Sequence, residues 1–202
     1  MPVFETAPSL LILTAILAYL LGSTPFGIVM AKLFGLGDLR QIGSGNIGAT
    51  NVLRTGNKLA ALLTLIGDAG KAGAAVLIAR AALADDAAQV AGLAAVLGHL
   101  YPVYLKFKGG KGVATLLGTV LALHWPVGLF ACLTWLAIAA LFRISSLSAL
   151  AASALAPVAA PFLGYGQGVA LLVVIAVLVW YKHATNIRRI ADGTEPRIGK
   201  GK

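Results

Sequence analysis

An all-α integral membrane protein, a compact bundle of about seven transmembrane helices, is the fold class this sequence predicts, and three observations predict it. First, 59% of the 202 residues are hydrophobic and 11% are charged, where soluble chains carry about a quarter charged residues. Second, the 16 basic and 7 acidic residues sit mostly in short patches between long runs of Leu, Ala, Val and Ile, so they cannot cover a water-facing surface. Third, the basic residues gather on alternate loops, as the positive-inside rule asks of a polytopic protein.

The same composition excludes other classes. A disordered chain lacks this apolar content. The single Cys132 supports neither a disulfide scaffold nor a cysteine zinc site. The net charge of +9 marks cytoplasmic loops and their contact with anionic lipid, not a nucleic-acid partner.

The segments follow in order. Residues 9–33 form the first apolar run; no positive region or cleavage site precedes it, so it reads as a first span and not as a signal peptide. Pro25 in Gly22-Ser23-Thr24-Pro25 should kink this helix, with Ser23 and Thr24 able to satisfy freed carbonyls. Residues 59–83 hold Asp68 and Lys71 at i, i+3, where pairing relieves the cost of a buried charge. Residues 87–105 are dense in Ala and Gly, which let helix backbones approach closely. Residues 113–124 would reach only about 18 Å as a helix against a hydrocarbon core of about 30 Å, which makes them a half-span or a helix ending in a protein cavity. Residues 126–142, 147–163 and 168–183 complete the count. No repeat, low-complexity tract or linker divides the chain, so residues 1–202 read as a single domain.

With this drawing, Lys32, Arg40, Arg54, Lys58, Lys106, Lys108, Lys111, Arg143, Lys182, Arg188, Arg189, Arg197, Lys200 and Lys202 share one side, fourteen of the 16 basic residues. The N-terminus is then expected outside and the C-terminus in the cytoplasm.

Three polar clusters fall on that inner face. The first combines Gly43, Gly45 and Gly48, whose backbone can approach a ligand closely, with donors at Ser44, Asn46, Thr50 and Asn51 and a guanidinium at Arg54. This is an inventory for holding a phosphate, although it lacks the Gly-Lys-Ser/Thr ending of a P-loop; an ordinary polar loop of glycine turns is the bland alternative. The second, Lys106-Phe107-Lys108-Gly109-Gly110-Lys111-Gly112-Val113-Ala114-Thr115, sets glycines and a lysine at a helix N-terminus, where amides, macrodipole and charge all favour an anion. The third is His183-Ala184-Thr185-Asn186-Ile187-Arg188-Arg189, where a continuing helix would place His183 and Asn186 on one face. Arg188 and Arg189 read as interfacial anchors. His99 either orients the second loop or is a satisfied bundle histidine. Clusters on one face imply a shared cytoplasmic site for two phosphorylated substrates, at least one with a hydrophobic tail.

Ser44-Gly45-Asn46-Ile47-Gly48-Ala49-Thr50-Asn51-Val52-Leu53-Arg54, Gly109-Gly110-Lys111-Gly112-Val113-Ala114-Thr115 and His183 to Arg189 with Gly193 and Glu195 resemble, in order, the three motifs of the bacterial acyl-phosphate-dependent glycerol-3-phosphate acyltransferases, the PlsY family. The resemblance covers nearly the whole chain. It implies transfer of a fatty acyl group from acyl phosphate to the sn-1 hydroxyl of glycerol 3-phosphate, the first step of bacterial phospholipid synthesis, giving lysophosphatidic acid and phosphate. It further implies a multi-pass protein of the bacterial inner membrane, a site open to the cytoplasm, no cofactor and no obligate protein partner.

By that resemblance Ser44, Lys111 and His183 polarise the donor or its leaving group, while Arg54, Thr50 and Asn186 clamp glycerol 3-phosphate; the donor's own phosphate takes the hydroxyl proton. Gly43, Gly45, Asn46, Asn51, Gly109, Gly110, Gly112, Thr115, Ser146 and Glu195 join the substrate-binding set. The His-x-x-x-x-Asp pair of soluble-type glycerolipid acyltransferases is absent, since Tyr104, Leu129 and Arg188 stand five residues after His99, His124 and His183. No metal is expected, because Asp38, Asp192 and Glu195 form no ligand set. The alternative reading is a small transporter or flippase for an organic phosphate, favoured by the Asp68–Lys71 pair and the short helix and disfavoured by the lack of an inverted repeat.

Overall fold

A computed structural model describes residues 4–199. Among the described residues it is all helix, with no strand: α1 Pro8–Gly22, α2 Phe26–Leu33, α3 Ala49–Leu53, α4 Lys58–Ala82, α5 Asp85–Leu100, α6 Val113–Leu123, α7 Trp125–Phe142, α8 Ser145–Ala159, α9 Val169–Lys182 and α10 Ala184–Ala191. The described chain forms two compact units, 4–123 and 124–199.

In the first unit α5 packs between α1 and α4, and α4 packs on α6. The core is built from small residues: Ala18, Ala72, Ala87, Ala91 and Ala95 are buried together. A Cβ on Gly22 would strike the Ala95 carbonyl, one on Gly98 the Tyr19 carbonyl, and one on Gly118 the Ala69 carbonyl. These helices therefore meet backbone to backbone, the packing that membranes favour where lipid supplies no hydrophobic drive. Leucine and isoleucine face outward, among them Leu13, Ile16, Leu62, Ile66 and Ile78, as lipid contact requires.

Arg80 ties one end of this unit, donating to the Ala122 and Leu123 carbonyls at 2.7 and 2.9 Å and to Asp85 at 2.7 Å. In the second unit α8 packs between α7 and α9. Arg143 ends α7 in the left-handed region, φ 58°, and turns the chain into α8.

Each sequence-drawn segment is helical, with four corrections of detail; the sixth, drawn to 163, stops at Ala159 ahead of Pro161. The first is two helices, because Pro25 has no N–H to continue the ladder; Ser23 back-bonds to Tyr19 at 2.8 Å. The third stops at Leu100, since Pro102 ends it two residues on, and only a 3₁₀ turn covers Val103–Leu105. The last does not run on through His183: α10 departs from the line of α9 by 64°. Pro8–Leu33, Lys58–Ala82, Asp85–Leu105 and Trp125–Phe142 are long and apolar enough to cross a bilayer, and the bent pair makes a fifth if counted as one span. Helix α6, 11 residues long, reaches about 16 Å, short of a hydrocarbon core of about 30 Å, as its length in the sequence anticipated.

Candidate active site

The first motif is folded around Asn51, 1% exposed. Its amide oxygen accepts from the Ser44 backbone N–H at 3.0 Å, the Ser44 hydroxyl at 3.3 Å and Arg54 Nη1 at 3.4 Å, while its amide NH₂ donates to the Leu39 carbonyl at 2.8 Å. Asn51 is thus the peg on which the loop hangs. Gly43 and Gly45 turn the loop in the left-handed region at φ 54° and 67°, where L side chains are strained. A Cβ on Gly43 would also meet the Arg54 side chain and the Asn51 oxygen at 2.7 Å. The result leaves Ser44 and Arg54 exposed and Thr50 half-buried. The Asn46 oxygen accepts from the Ile47 N–H at 3.0 Å and so serves the turn. A Cβ on Gly27 would strike the Ile47 carbonyl, so α2 braces this motif from below.

The second motif lies in the same unit. Gly110 N–H donates to the His99 carbonyl at 3.1 Å, and a Cβ on Gly109 would strike that same carbonyl. Gly112 is left-handed at φ 80° and starts α6, whose first intrahelical bond is Leu116 N–H to Gly112 O at 2.8 Å. The first-turn amides ahead of it have no helical acceptor of their own, which is the basis of anion binding at such an end. Lys111 is half-buried beside them. Thr115 is fully buried, its hydroxyl without a hydrogen-bond partner among the described residues. Arg40 Nη2 reaches the Lys108 carbonyl at 3.4 Å and links the two loops.

Against the second loop, through His99, lies a buried charge cluster. Lys71 Nζ donates to Asp68 at 2.7 Å and to the Thr24 carbonyl, freed by the Pro25 break, at 2.7 Å, and it meets His99 Nδ1 at 3.0 Å. The pairing of Asp68 with Lys71 expected from their spacing is present.

The third motif belongs to the second unit. His183 Nδ1 donates to the Val179 carbonyl at 2.8 Å, because a carbonyl only accepts, and the bond fixes the ring. Asn186 is buried and donates to Glu195 Oε1, which also accepts from Ser146 Oγ at 2.7 Å. Arg189 Nε donates to Glu195 Oε2 at 2.7 Å. Gly193, φ 69°, reverses the chain after α10 and brings the carboxylate back onto these groups. Burial alone would raise the Glu195 carboxyl, but the hydrogen bonds from Ser146, Arg189 and Asn186 and the Arg189 charge outweigh it and hold the carboxyl below the usual glutamate range. Arg143 secures the tail by donating to the Ile198 carbonyl at 2.9 Å.

Sequence reasoning did not find Asn51 as a hub, Arg40 as a link or Arg189 as a partner of Glu195, having read Arg189 as an interfacial anchor. The last had a signal: Gly193 stands two residues before a carboxylate just past a helix end, where a left-handed glycine returns the chain.

An all-helical membrane chain with two glycine-rich basic loops in one unit and a histidine–asparagine–carboxylate cluster in the other has well-defined relatives. The family model described as glycerol-3-phosphate acyltransferase matches residues 12–193. Proteins named glycerol-3-phosphate acyltransferase from Jannaschia sp. and Cereibacter sphaeroides are 65% and 66% identical, over 98% and 99% of this chain and 98% and 95% of theirs. The crystal structure of PlsY, an integral membrane glycerol 3-phosphate acyltransferase, in its glycerol 3-phosphate form superposes with a TM-score of 0.88 at 44% identity, covering 94% of this chain and 96% of that one. Its lysophosphatidic acid form gives 0.87 at 43%, covering 94% and 95%. The chain belongs to the glycerol-3-phosphate acyltransferase family, and it is a multi-pass membrane protein of the PlsY kind.

Proposed function

We propose that the protein transfers a fatty acyl group from acyl phosphate to the sn-1 hydroxyl of glycerol 3-phosphate, releasing lysophosphatidic acid and inorganic phosphate. The observation that carries this reading is the pair of glycine loops in residues 4–123, one presenting Ser44 and Arg54 and the other Lys111 at the start of α6. Two anion-binding loops suit two phosphorylated substrates. The names of the relatives supply glycerol 3-phosphate as one of them, and the lysophosphatidic acid form of PlsY supports the product. The family match, 12–193, supports one acyltransferase domain over 1–202. The charge distribution supports about seven spans in a bacterial inner membrane, with the N-terminus outside, the C-terminus inside and the site facing the cytoplasm.

In the transfer the glycerol hydroxyl oxygen attacks the acyl carbonyl carbon, the carbon–oxygen bond to phosphate breaks, and phosphate leaves with the electron pair. Acyl phosphate is a mixed anhydride with a good leaving group, so alignment and charge stabilisation are the protein's main tasks. In residues 4–123 we assign Gly109, Gly110, Gly112 and Lys111 to the donor phosphate, with Ser44 as a hydrogen-bond donor, and Arg54 and Thr50 to glycerol 3-phosphate. Gly43, Gly45, Asn46, Asn51 and Thr115 shape these loops. In residues 124–199 Asn186 is assigned to a phosphate oxygen and is aligned by Glu195, which as an ionised acceptor is a positioning group and not a direct phosphate ligand; Ser146, whose one O–H goes to the carboxylate, steadies Glu195. His183 is assigned to polarising the donor or its leaving group; the hydroxyl proton is assigned to the departing phosphate.

The test is purified protein given acyl phosphate and glycerol 3-phosphate, with phosphate release and lipid product both followed. Stoichiometric release of the two is expected, with none when acyl-CoA replaces acyl phosphate. Transport of an organic phosphate without either product would overturn the reading.

A further inference from the structure

His99 is 5% exposed and stands between the buried charge pair and the second motif. Its Nδ1 lies 3.0 Å from Lys71 Nζ and 3.5 Å from Asp68 Oδ1. An ammonium has donors only, so Nδ1 must accept, and the neutral ring then carries its proton on Nε2. Lys71 is itself anchored by Asp68 in its own helix α4 and by the Thr24 carbonyl at the break before α2, and its charge lies 5.8 Å from the centre of the Phe26 ring. The ring of His99 is therefore held in one orientation from behind. Its far edge faces the loop: a Cβ built on Gly110 would strike Nε2, and also Cε1 at 2.9 Å. The His99 carbonyl holds the same glycine through its N–H at 3.1 Å. One residue thus grips Gly110 with both its backbone and its ring.

We propose that His99 is a positioning residue for the second-motif loop, and that the Asp68–Lys71 pair fixes its ring so that the Nε2–H edge sets the backbone course of Gly109 to Gly112 ahead of α6. A neutral apolar residue would fill the same space without a fixed edge, and an unpaired charge in α4 would be costly; the cluster answers both needs at once. The inference rests on reading this loop as the element that binds the donor phosphate.

The experiment compares His99→Asn, His99→Gln, Gly110→Ala and the double variant His99→Asn with Gly110→Ala in the intact protein. Thermal stability and the KM of each substrate are measured. In His99→Asn the amide oxygen stands where Nδ1 accepted from Lys71, but nothing reaches Gly110. In His99→Gln the amide nitrogen reaches the position of Nε2, but Lys71 loses its acceptor. The expected result is an opposed order: His99→Asn is the more stable variant, while His99→Gln keeps the lower KM for acyl phosphate. A displaced phosphate loop should raise that KM in His99→Asn by roughly 10- to 100-fold. Gly110→Ala perturbs the contact from the loop side without touching the buried charges. It should raise the same KM alone and add little in the His99→Asn background, where the ring edge is gone.

KM values that follow stability in the same order, an unchanged KM in Gly110→Ala, or simple additivity in the double variant would each overturn the proposal. A KM rise confined to glycerol 3-phosphate would leave the positioning role standing and move the loop to the other substrate.

Discussion

Replacing Glu195 by Gln tests the third motif most directly, because one carboxylate organises it. The carboxylate accepts from Ser146 at 2.7 Å, from Asn186, and from Arg189 at 2.7 Å. In Glu195→Gln the side chain keeps one acceptor oxygen but turns an NH₂ toward Arg189, donor against donor. Hydrogen bonds to a charged group contribute about 1.5–3 kcal/mol and neutral ones about 0.5–1.5, so neutralisation weakens those from Ser146 and Asn186 by about 1 kcal/mol each. The Arg189 side chain is 37% exposed, which limits its share to about 0.5–1 kcal/mol. The total is about 2.5–3 kcal/mol. If all of it aligns Asn186 in the transition state, kcat/KM falls by roughly 70- to 150-fold. The assay is initial rate with each substrate varied, alongside thermal unfolding against pH. Because the fold holds Glu195 below its ordinary value of 4.5, the hub's contribution is complete above that value and is lost as pH falls through the lower, folded one. Wild type should lose stability on acidification in that window and Glu195→Gln should lose less. A variant with wild-type kcat/KM and the same acid response would refute the hub.

Three further outcomes are expected. Lys111→Ala should raise the KM for acyl phosphate more than that for glycerol 3-phosphate, and Gly112→Ala, forced to φ 80°, should do the same less severely; equal damage to both KM values would make the loop a general scaffold. For Ser44, whose hydroxyl meets the Asn51 amide oxygen at 3.3 Å and not a base, initial-rate plots should intersect and acyl phosphate alone should give no phosphate burst. Ping-pong kinetics with an acyl group trapped on Ser44 would falsify direct transfer. A reporter fused after Lys202 should be cytoplasmic and one before Pro2 external, and finding both on one side would remove the proposed orientation.

Helix positions were legible because hydrophobic runs depend on transfer free energy, which is nearly additive along the chain. Helix ends and site roles were less so. Leu100 ends α5, although an apolar run continues to Leu105, because Pro102 and the glycine contacts at the His99 carbonyl decide the matter. The Asp68–Lys71 pair could be read from spacing, but its third and fourth members, Thr24 and His99, are 47 and 28 residues away in sequence. Asn51 reads from sequence as one more donor in the loop, and the bonds that make it a hub, to Ser44, Arg54 and Leu39, come from the folded loop. Residue type gives a side chain's chemistry, and only packing says which partner takes it.

That distinction joins the three motifs to the fold. In a bilayer a broken helix must have its freed backbone groups satisfied from within the protein. Here two breaks are answered by motif residues or their supports: Lys71 takes the Thr24 carbonyl at the Pro25 break and Gly110 takes the His99 carbonyl before α6, while the His183 ring adds a bond to the Val179 carbonyl that its own backbone N–H already caps where α10 turns away. Each bond fixes a side chain or loop while it satisfies backbone, so capping the broken helix and aiming the polar group are one event. Substituting any of these residues therefore disturbs helix ends as well as chemistry, which is why separate KM values and stability, measured on the same variant, are needed to assign a role.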